Sequence, residues 1–318
     1  MKRIGFLLLA LACRGEEPVP APSPAPPPVA VATPIPEVPT PAPVPTPEPP
    51  PPADSILADV ERSYRSIPRA VRMDVATTRV QTEPIAGLPP HEELLLWGVV
   101  NGDPEKTSVL YGFYEPSRYR GTGLLIEDER KSVDGDTMWY HMRTFRRFQN
   151  IPSTSLRLLV AGTCMTYEDA RGFLATDRYE FRATDDPDVI VARPLTPELE
   201  SDTGYSQAEV RIDPQKRYVT EIRFTDLGGR PWKVYSAGEP VRIKGSWFPG
   251  KARIEDLQGA VVSTVKYRYI PLESNPPASL YDTDVDDQLL LDRLTDALAR
   301  LGIVAEEPAS QIKGPEIP

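Results

Sequence analysis

The segments ELLLWGVV (93–100), TSVLYGFYE (107–115) and GTGLLIEDE (121–129) decide the fold of this 318-residue chain. In these short segments the apolar side chains occupy either every second position or nearly every position, which is typical of β-strands. The link between the first two segments contains Asn101-Gly102-Asp103, a turn sequence. A parallel crossover needs about a dozen residues or more, so links this short predict antiparallel neighbours.

The same strand pattern continues on both sides of this stretch. The further predicted strands are 71–77, 136–142, 177–183, 188–195, 206–213, 217–226, 231–238, 240–249 and 261–270. The sequence therefore predicts a mainly β chain with one antiparallel meander of about eleven or twelve strands. A sheet of that length must curl or close to protect its edges.

Three helices are predicted around and within the meander. Residues 54–67 carry apolar side chains at helical spacing, and residues 284–301 are strongly amphipathic with Gly302 as a stop signal. Residues 165–174 begin with the capping-box spacing Thr166 to Asp169. Glu168 and Asp169 are interpreted as charges that favour this helix N-terminus, with a catalytic use as the weaker alternative.

The N-terminus has the layout of a bacterial secretory signal. Lys2 and Arg3 precede an apolar run from 4 to 12 that ends at Cys13, the position of a lipidated cysteine in a lipobox. Eighteen of the 38 prolines then fall between 18 and 52, which predicts an extended, disordered tether. The predicted organisation is therefore a signal peptide (1–13), a tether (14–53), a β domain (54–281), an amphipathic helix (282–304) and a flexible tail (305–318).

Composition excludes several classes of function. The net charge is −10 and no basic cluster stands out, which argues against nucleic acid as a partner. The chain has only His91 and His141, so neither a histidine metal cluster nor a nucleophile–histidine triad is predicted, and no cofactor is expected. If Cys13 carries lipid, Cys164 has no disulfide partner, and we interpret it as a small buried apolar residue.

Four sequence phrases between 120 and 259 occur in the order seen in one known family. They are RGTGLL (120–125), DTMWY (136–140) with the basic residues Arg143, Arg146 and Arg147, GTCMTYED (162–169), and GSWFPGKARIEDLQG (245–259). In this order they resemble the LolA-like family of bacterial outer membrane lipoprotein-sorting proteins. The resemblance covers most of 68–281. Because the chain also has its own predicted anchor, it resembles the membrane-attached acceptor form as much as a soluble shuttle.

The resemblance implies a half-open antiparallel barrel wrapped on helices, with an apolar cavity for acyl chains and no catalysis. Segment 162–174 would be a lid or plug over that cavity. Large apolar side chains on strands and near the plug are the candidates for its lining, although for any single one of them a place in a closed core between sheet and helices is the favoured alternative. The candidates are Leu125, Met138, Trp139, Phe145, Tyr167, Phe173, Tyr179, Phe181, Phe224 and Trp247.

The first functional hypothesis is a lipid-anchored envelope protein that carries or receives the acyl chain of a lipid or lipoprotein. Its partners would be that chain, the membrane holding the anchor, and an envelope transporter or permease. Arg14 after the lipidated cysteine favours the periplasmic face of the outer membrane. The alternative is a regulatory or scaffold lipoprotein that uses the same fold to sense lipoproteins or to bind a protein partner. A hydrolase is disfavoured, because the chain lacks a G-x-S-x-G elbow.

Overall fold

The computed structural model describes residues 53–79, 89–103, 105–129, 137–144, 146–172, 177–283 and 290–304. Within these residues the chain forms thirteen strands and four α-helices. The helices are α1 (Ala53–Ser66), α2 (Tyr167–Arg171), α3 (Pro197–Thr203) and α4 (Leu290–Arg300). The strands are β1 (Arg69–Arg79), β2 (His91–Val100), β3 (Lys106–Glu115), β4 (Gly123–Glu129), β5 (Thr137–Met142), β6 (Arg147–Asn150), β7 (Tyr179–Ala183), β8 (Val189–Pro194), β9 (Tyr205–Asp213), β10 (Tyr218–Asp226), β11 (Pro231–Ile243), β12 (Ser246–Asp256) and β13 (Val261–Pro271).

All thirteen strands belong to one open antiparallel sheet, so the prediction of a mainly β half-barrel is confirmed. The strand order is β6-β5-β4-β3-β2-β1-β13-β12-β11-β10-β9-β8-β7. Two meanders therefore meet at the middle of the sheet, where β1 pairs with β13 from Arg69↔Pro271 to Arg79↔Val261. The connection between β6 and β7 joins the two edge strands and contains α2.

Both faces of the sheet are buried in the half that contains β1 to β5. The inner face packs against α1 and α2, and β1 contributes Val71, Met73 and Val75 to it. The outer face packs against α4 and contains Trp97 and Leu125. Side chains alternate between faces along a strand, so apolar residues of β1 to β5 pack against helices on both sides of the sheet.

Helix α4 is part of the hydrophobic core rather than an appendage. Leu290, Leu294 and Leu298 are fully buried against the outer face. Gly112 permits this close approach, because a Cβ there would lie 2.7 Å from Leu294 Cδ2. The predicted start of this helix, 284–289, lies outside the described residues.

Two sequence predictions are corrected by the structure. The strand predicted over 240–249 is wrong, because Lys244 and Gly245 both adopt positive φ (45° and 89°) and form a tight hairpin turn between β11 and β12. Strand β6 and helix α3 were not predicted. The first is only four residues long, whereas the second carries a readable signal, with Thr196 as N-cap and Pro197 in the first turn.

Candidate functional site

A cavity of about 250 Å³ lies between helix α1, the inner face of the sheet and the segment around α2. Its lining is mainly apolar and comes from eleven elements or connections, so it is built by the whole half-barrel. The apolar lining residues are Leu57, Val60, Val71, Met73, Leu96, Val100, Val109, Phe113, Leu124, Ile126, Val160, Met165, Ala170, Val219, Ile222, Pro249 and Ile254. Concave apolar space of this kind is the usual form of a small-ligand site.

The local sequence explains how each wall is formed. Leu57, Val60 and Tyr64 follow one another at intervals of three and four residues, which places them on the side of α1 that faces the sheet. Odd-numbered residues of β1 and even-numbered residues of β4, such as Leu124, point to the same inner face. The period of two in these strands therefore sets which side chains reach the cavity.

Arg69 is the charged side chain at the end of the cavity where β1 begins. It is 8% exposed, and its Nη1 donates hydrogen bonds to the backbone carbonyls of Tyr64 (2.6 Å) and Ile67 (2.9 Å). Its guanidinium carbon lies 5.0 Å from the centre of the Phe248 ring. Among the described residues no carboxylate forms an ion pair with Arg69, and its Nε has no hydrogen-bond partner. Burial lowers the pKa of this guanidinium.

Five tyrosines share the cavity lining with Arg69. They are Tyr64, Tyr111, Tyr235, Tyr267 and Tyr269. Burial raises the pKa of each phenol, so all five stay neutral at physiological pH. Tyr267 and Tyr269 stack with ring centres 5.8 Å apart and an angle of 11° between planes. A row of neutral phenols supplies hydrogen-bonding capacity to an otherwise apolar chamber.

A second polar cluster lies across β2 and β3 from Arg69. Arg65 Nη2 contacts Glu61 Oε1 at 3.0 Å and Asp128 Oδ2 at 2.7 Å, and all three side chains line the cavity. Asp177 is close enough that burial, together with the charge of Asp128, raises the pKa of its carboxyl. Three carboxylates surround one guanidinium here, so this cluster carries no spare positive charge.

Helix α2 is held as a wall of the cavity by buried polar contacts. Thr166 and Asp169 form the predicted capping box, which is confirmed. Asp169 accepts a hydrogen bond from the Tyr205 hydroxyl at 2.8 Å and forms an ion pair with Lys233, which is 2% exposed. Glu168 pairs with Arg178 at 2.8 Å. These contacts fix the helix to strands on the opposite half of the sheet.

The carboxylates of α2 are therefore already occupied by partners. Glu168 and Asp169 are both buried and both lie in the first turn, in agreement with the interpretation that they charge a helix N-terminus. Within the described ranges no group of three or more His, Cys, Asp or Glu could hold a metal ion. Cys164 is buried and free, and burial raises the pKa of its thiol, as expected of a structural residue.

The residues predicted to line a cavity are distributed differently from the expectation. Leu125 and Trp139 were expected on the inner surface, but they lie on the outer face in the cluster that packs against α4. Met138 lies on the inner side, packed with Leu156 beside the cavity. Tyr167 packs against the same group. None of the predicted residues within the described ranges is among the side chains that line the cavity.

The remaining candidates fall into three groups. Tyr179 and Phe224 are buried core residues near the Lys233 ion pair, and Phe181 packs partly against the same core. Trp247 lines a separate polar cleft of about 260 Å³ with Asp59 and Arg217. Phe145 and Phe173 lie outside the described residues. The predicted plug is partly confirmed in position, because Met165 and Ala170 do line the cavity.

Comparisons with known proteins agree with this architecture. A family model described as an uncharacterized protein matches residues 105–285. No curated protein matches the sequence. Among the helices of the described part, none is long and apolar enough to cross a membrane.

Three solved structures are similar to the chain in fold. A putative outer membrane lipoprotein-sorting protein domain from Vibrio parahaemolyticus has a TM-score of 0.59 and 16% identity, and the match covers 72% of this chain and 97% of that one. A DUF1329 family protein from Desulfovibrio piger has a TM-score of 0.60 and 14% identity, covering 72% and 95%. A LolA superfamily protein from Nitrosomonas europaea has a TM-score of 0.52 and 17% identity, covering 73% and 98%.

Proposed function

Because this chain belongs to the family whose model matches residues 105–285 and has a LolA-like fold, we propose that it is a lipid-anchored envelope protein that binds an acyl chain. The protein would carry or receive this acyl chain during sorting or transfer of a lipid or lipoprotein. It would make or break no covalent bond. The observation that carries the proposal is the apolar cavity between α1 and the inner face.

The physical basis is the transfer of hydrocarbon from water. Each buried CH₂ contributes about 0.8 kcal/mol, so an alkyl chain of moderate length gains enough to bind in the micromolar range once ordering costs are subtracted. The lining supplies apolar contact along the whole chamber, from Val100 at one end of β2 to Phe113 on β3. Segment 160–172 forms one side of the cavity. We include in the proposal that this segment moves as a lid.

A cavity-filling substitution tests this function directly. Val219 is half-buried and lines the cavity, so Val219→Trp places a large ring where the alkyl chain would lie. We expect this variant to weaken binding of the neutral apolar dye N-phenyl-1-naphthylamine at least tenfold. The measurement is a fluorescence titration of the purified chain, with melting temperature recorded in parallel.

The matched control is Thr220→Trp, one residue further along the same strand. Thr220 is half-buried like Val219, but it does not line the cavity, and its Oγ1 donates a hydrogen bond to the Arg211 carbonyl outside it. Its dye affinity should equal that of the wild type. The proposal fails if the wild type shows no saturable dye binding, or if the two tryptophan variants bind the dye equally well.

The anchor requires its own test, because Cys13 lies outside the described residues. Cys13→Ser is expected to remove acylation, so the protein should leave the membrane fraction or accumulate as unprocessed precursor. Fractionation and the mass of the mature protein measure this. Cys164→Ala, which removes the buried cysteine, should fractionate like the wild type. A cleaved Cys13→Ser protein that stays in the membrane fraction would refute the lipid anchor.

A further inference from the structure

Arg69 is a buried cation for which the described residues provide no counterion. It is 8% exposed, and the chamber around it is lined mainly by aliphatic side chains and neutral phenols. The other charged side chains of the lining are the Arg65 cluster, Asp169 and Arg171. An uncompensated charge in such surroundings costs several kcal/mol, which is why buried arginines are normally paired with carboxylates. The other buried arginines of the described residues follow that rule: Arg65 pairs with Asp128, Arg72 with Asp74, Arg79 with Glu92, and Arg178 with Glu168.

The guanidinium is also oriented in advance. Its Nη1 is held by two backbone carbonyls at the end of α1, and its plane is packed against the Phe248 ring. These contacts fix the side chain in place, while Nε keeps a donor without a partner in the described structure. A planar guanidinium with an unpartnered Nε donor is suited to a carboxylate or phosphate oxygen.

The neighbouring carboxylates do not supply the missing charge. Glu61 and Asp128 both contact Arg65, which lies between them and satisfies part of their charge. Arg69 is in contact range of Tyr64, whose phenol is neutral because burial raises its pKa. Arg65 and Arg171 also line the cavity; Arg65 is paired with two carboxylates, whereas Arg69, at the end of the sheet where β1 begins, has no carboxylate partner among the described residues.

We propose that Arg69 binds the anionic oxygen group of a single-chain lipid whose alkyl tail fills the cavity. The inference rests on the proposed function and narrows its ligand to a fatty-acid carboxylate or the phosphate of a lysophospholipid. The cavity volume is in keeping with a single alkyl chain rather than several. It is about 250 Å³, smaller than the roughly 300–1,000 Å³ of pockets that enclose drug-sized ligands. A triacylated lipoprotein would bring three chains and no anionic group to this position.

The experiment compares ligands that differ only in the head group. Dodecanoic acid, dodecanol and lauroyl lysophosphatidic acid are titrated by calorimetry at neutral pH, below their aggregation limits, into the full chain with Cys13→Ser in every sample. We expect the wild type to bind at least one anionic ligand roughly tenfold more tightly than dodecanol, as charge-assisted hydrogen bonds predict. The anionic ligand that binds more tightly shows whether the site takes a fatty-acid carboxylate or a lysophospholipid phosphate.

Variants at position 69 test the residue. Arg69→Gln should lose the preference for the acid while it still binds dodecanol, and Arg69→Lys should keep part of the preference. Arg72→Gln is the control: this buried arginine lies on the same strand but on the other face, beside Asp74 at 2.9 Å. Melting temperatures are recorded for all variants.

The outcomes separate the two proposals. If the wild type binds neither anionic ligand more tightly than dodecanol, or if Arg69→Gln keeps the preference, the anion site is wrong although acyl binding stands. If no ligand and no apolar dye binds, the proposed function itself fails. Should neither variant at position 69 fold, the comparison of acid with alcohol on the wild type still decides whether an anion site exists.

Discussion

Lys233→Met is expected to lower the free energy of unfolding by about 3–5 kcal/mol, the usual cost of removing one partner from a buried ion pair. The ammonium group lies under 5 Å from the centres of two aromatic rings, 4.9 Å for Tyr205 and 4.7 Å for Phe224, and contacts the Asp169 carboxylate. Without it, Asp169 remains as a buried negative charge with only neutral donors. Chemical denaturation followed by circular dichroism measures the loss.

Lys251→Met is the control for this result. Lys251 lies on β12, where its ammonium is 3.8 Å from Glu239 and both side chains are largely exposed. Exposed pairs contribute about 0–1 kcal/mol, so this variant should remain near wild-type stability. The double variant Asp169→Leu with Lys233→Met should regain part of the loss, because no unpaired charge is then buried. Equal stability of the two lysine variants would show that the Lys233 pair does not hold α2.

Leu294→Ala should destabilise the chain by about 2–5 kcal/mol, because it opens a cavity between α4 and the outer face. Leu294 is fully buried, and its Cδ2 occupies the space left free by the missing side chain of Gly112. The same denaturation assay measures the effect. Leu301→Ala deletes the same atoms from a position that is 37% exposed and should cost far less. Two equal losses would mean that α4 is not docked on the sheet in solution.

The sequence predicted the sheet and most of its strands because their turns and alternation are local signals. It could not assign the faces of β4 and β5, for a physical reason. Leu124, Leu125 and Ile126 are all buried, since helices cover both sides of this part of the sheet. A continuous apolar run carries no period of two, so Leu125 and Trp139 were assigned to the wrong face. Only the position of α4 resolves the ambiguity.

The polar residues of the site were missed for a different reason. Arg69 stands between a helix stop and an apolar strand, where a charged residue usually points to solvent. Whether a carboxylate reaches Arg69 depends on residues distant in sequence, and none of the described ones does; the pairing of Lys233 with Asp169 likewise joins distant segments. The alternation of Tyr267 and Tyr269 on one face of β13 was a readable signal. It indicates a wall with hydrogen-bonding capacity, which a closed core would not require.

The meeting of β1 and β13 at the middle of the sheet has a consequence for the order of events during synthesis. Until residue 271 has left the ribosome, β1 has β2 as its one neighbour and the two meanders cannot join. Contacts between such distant segments form slowly, because the intervening chain must close into a loop first. A nascent chain in this state cannot complete its core. The strand order thus keeps the two meanders apart until β13 has been synthesised, which suits a polypeptide whose N-terminus is predicted to be a secretory signal.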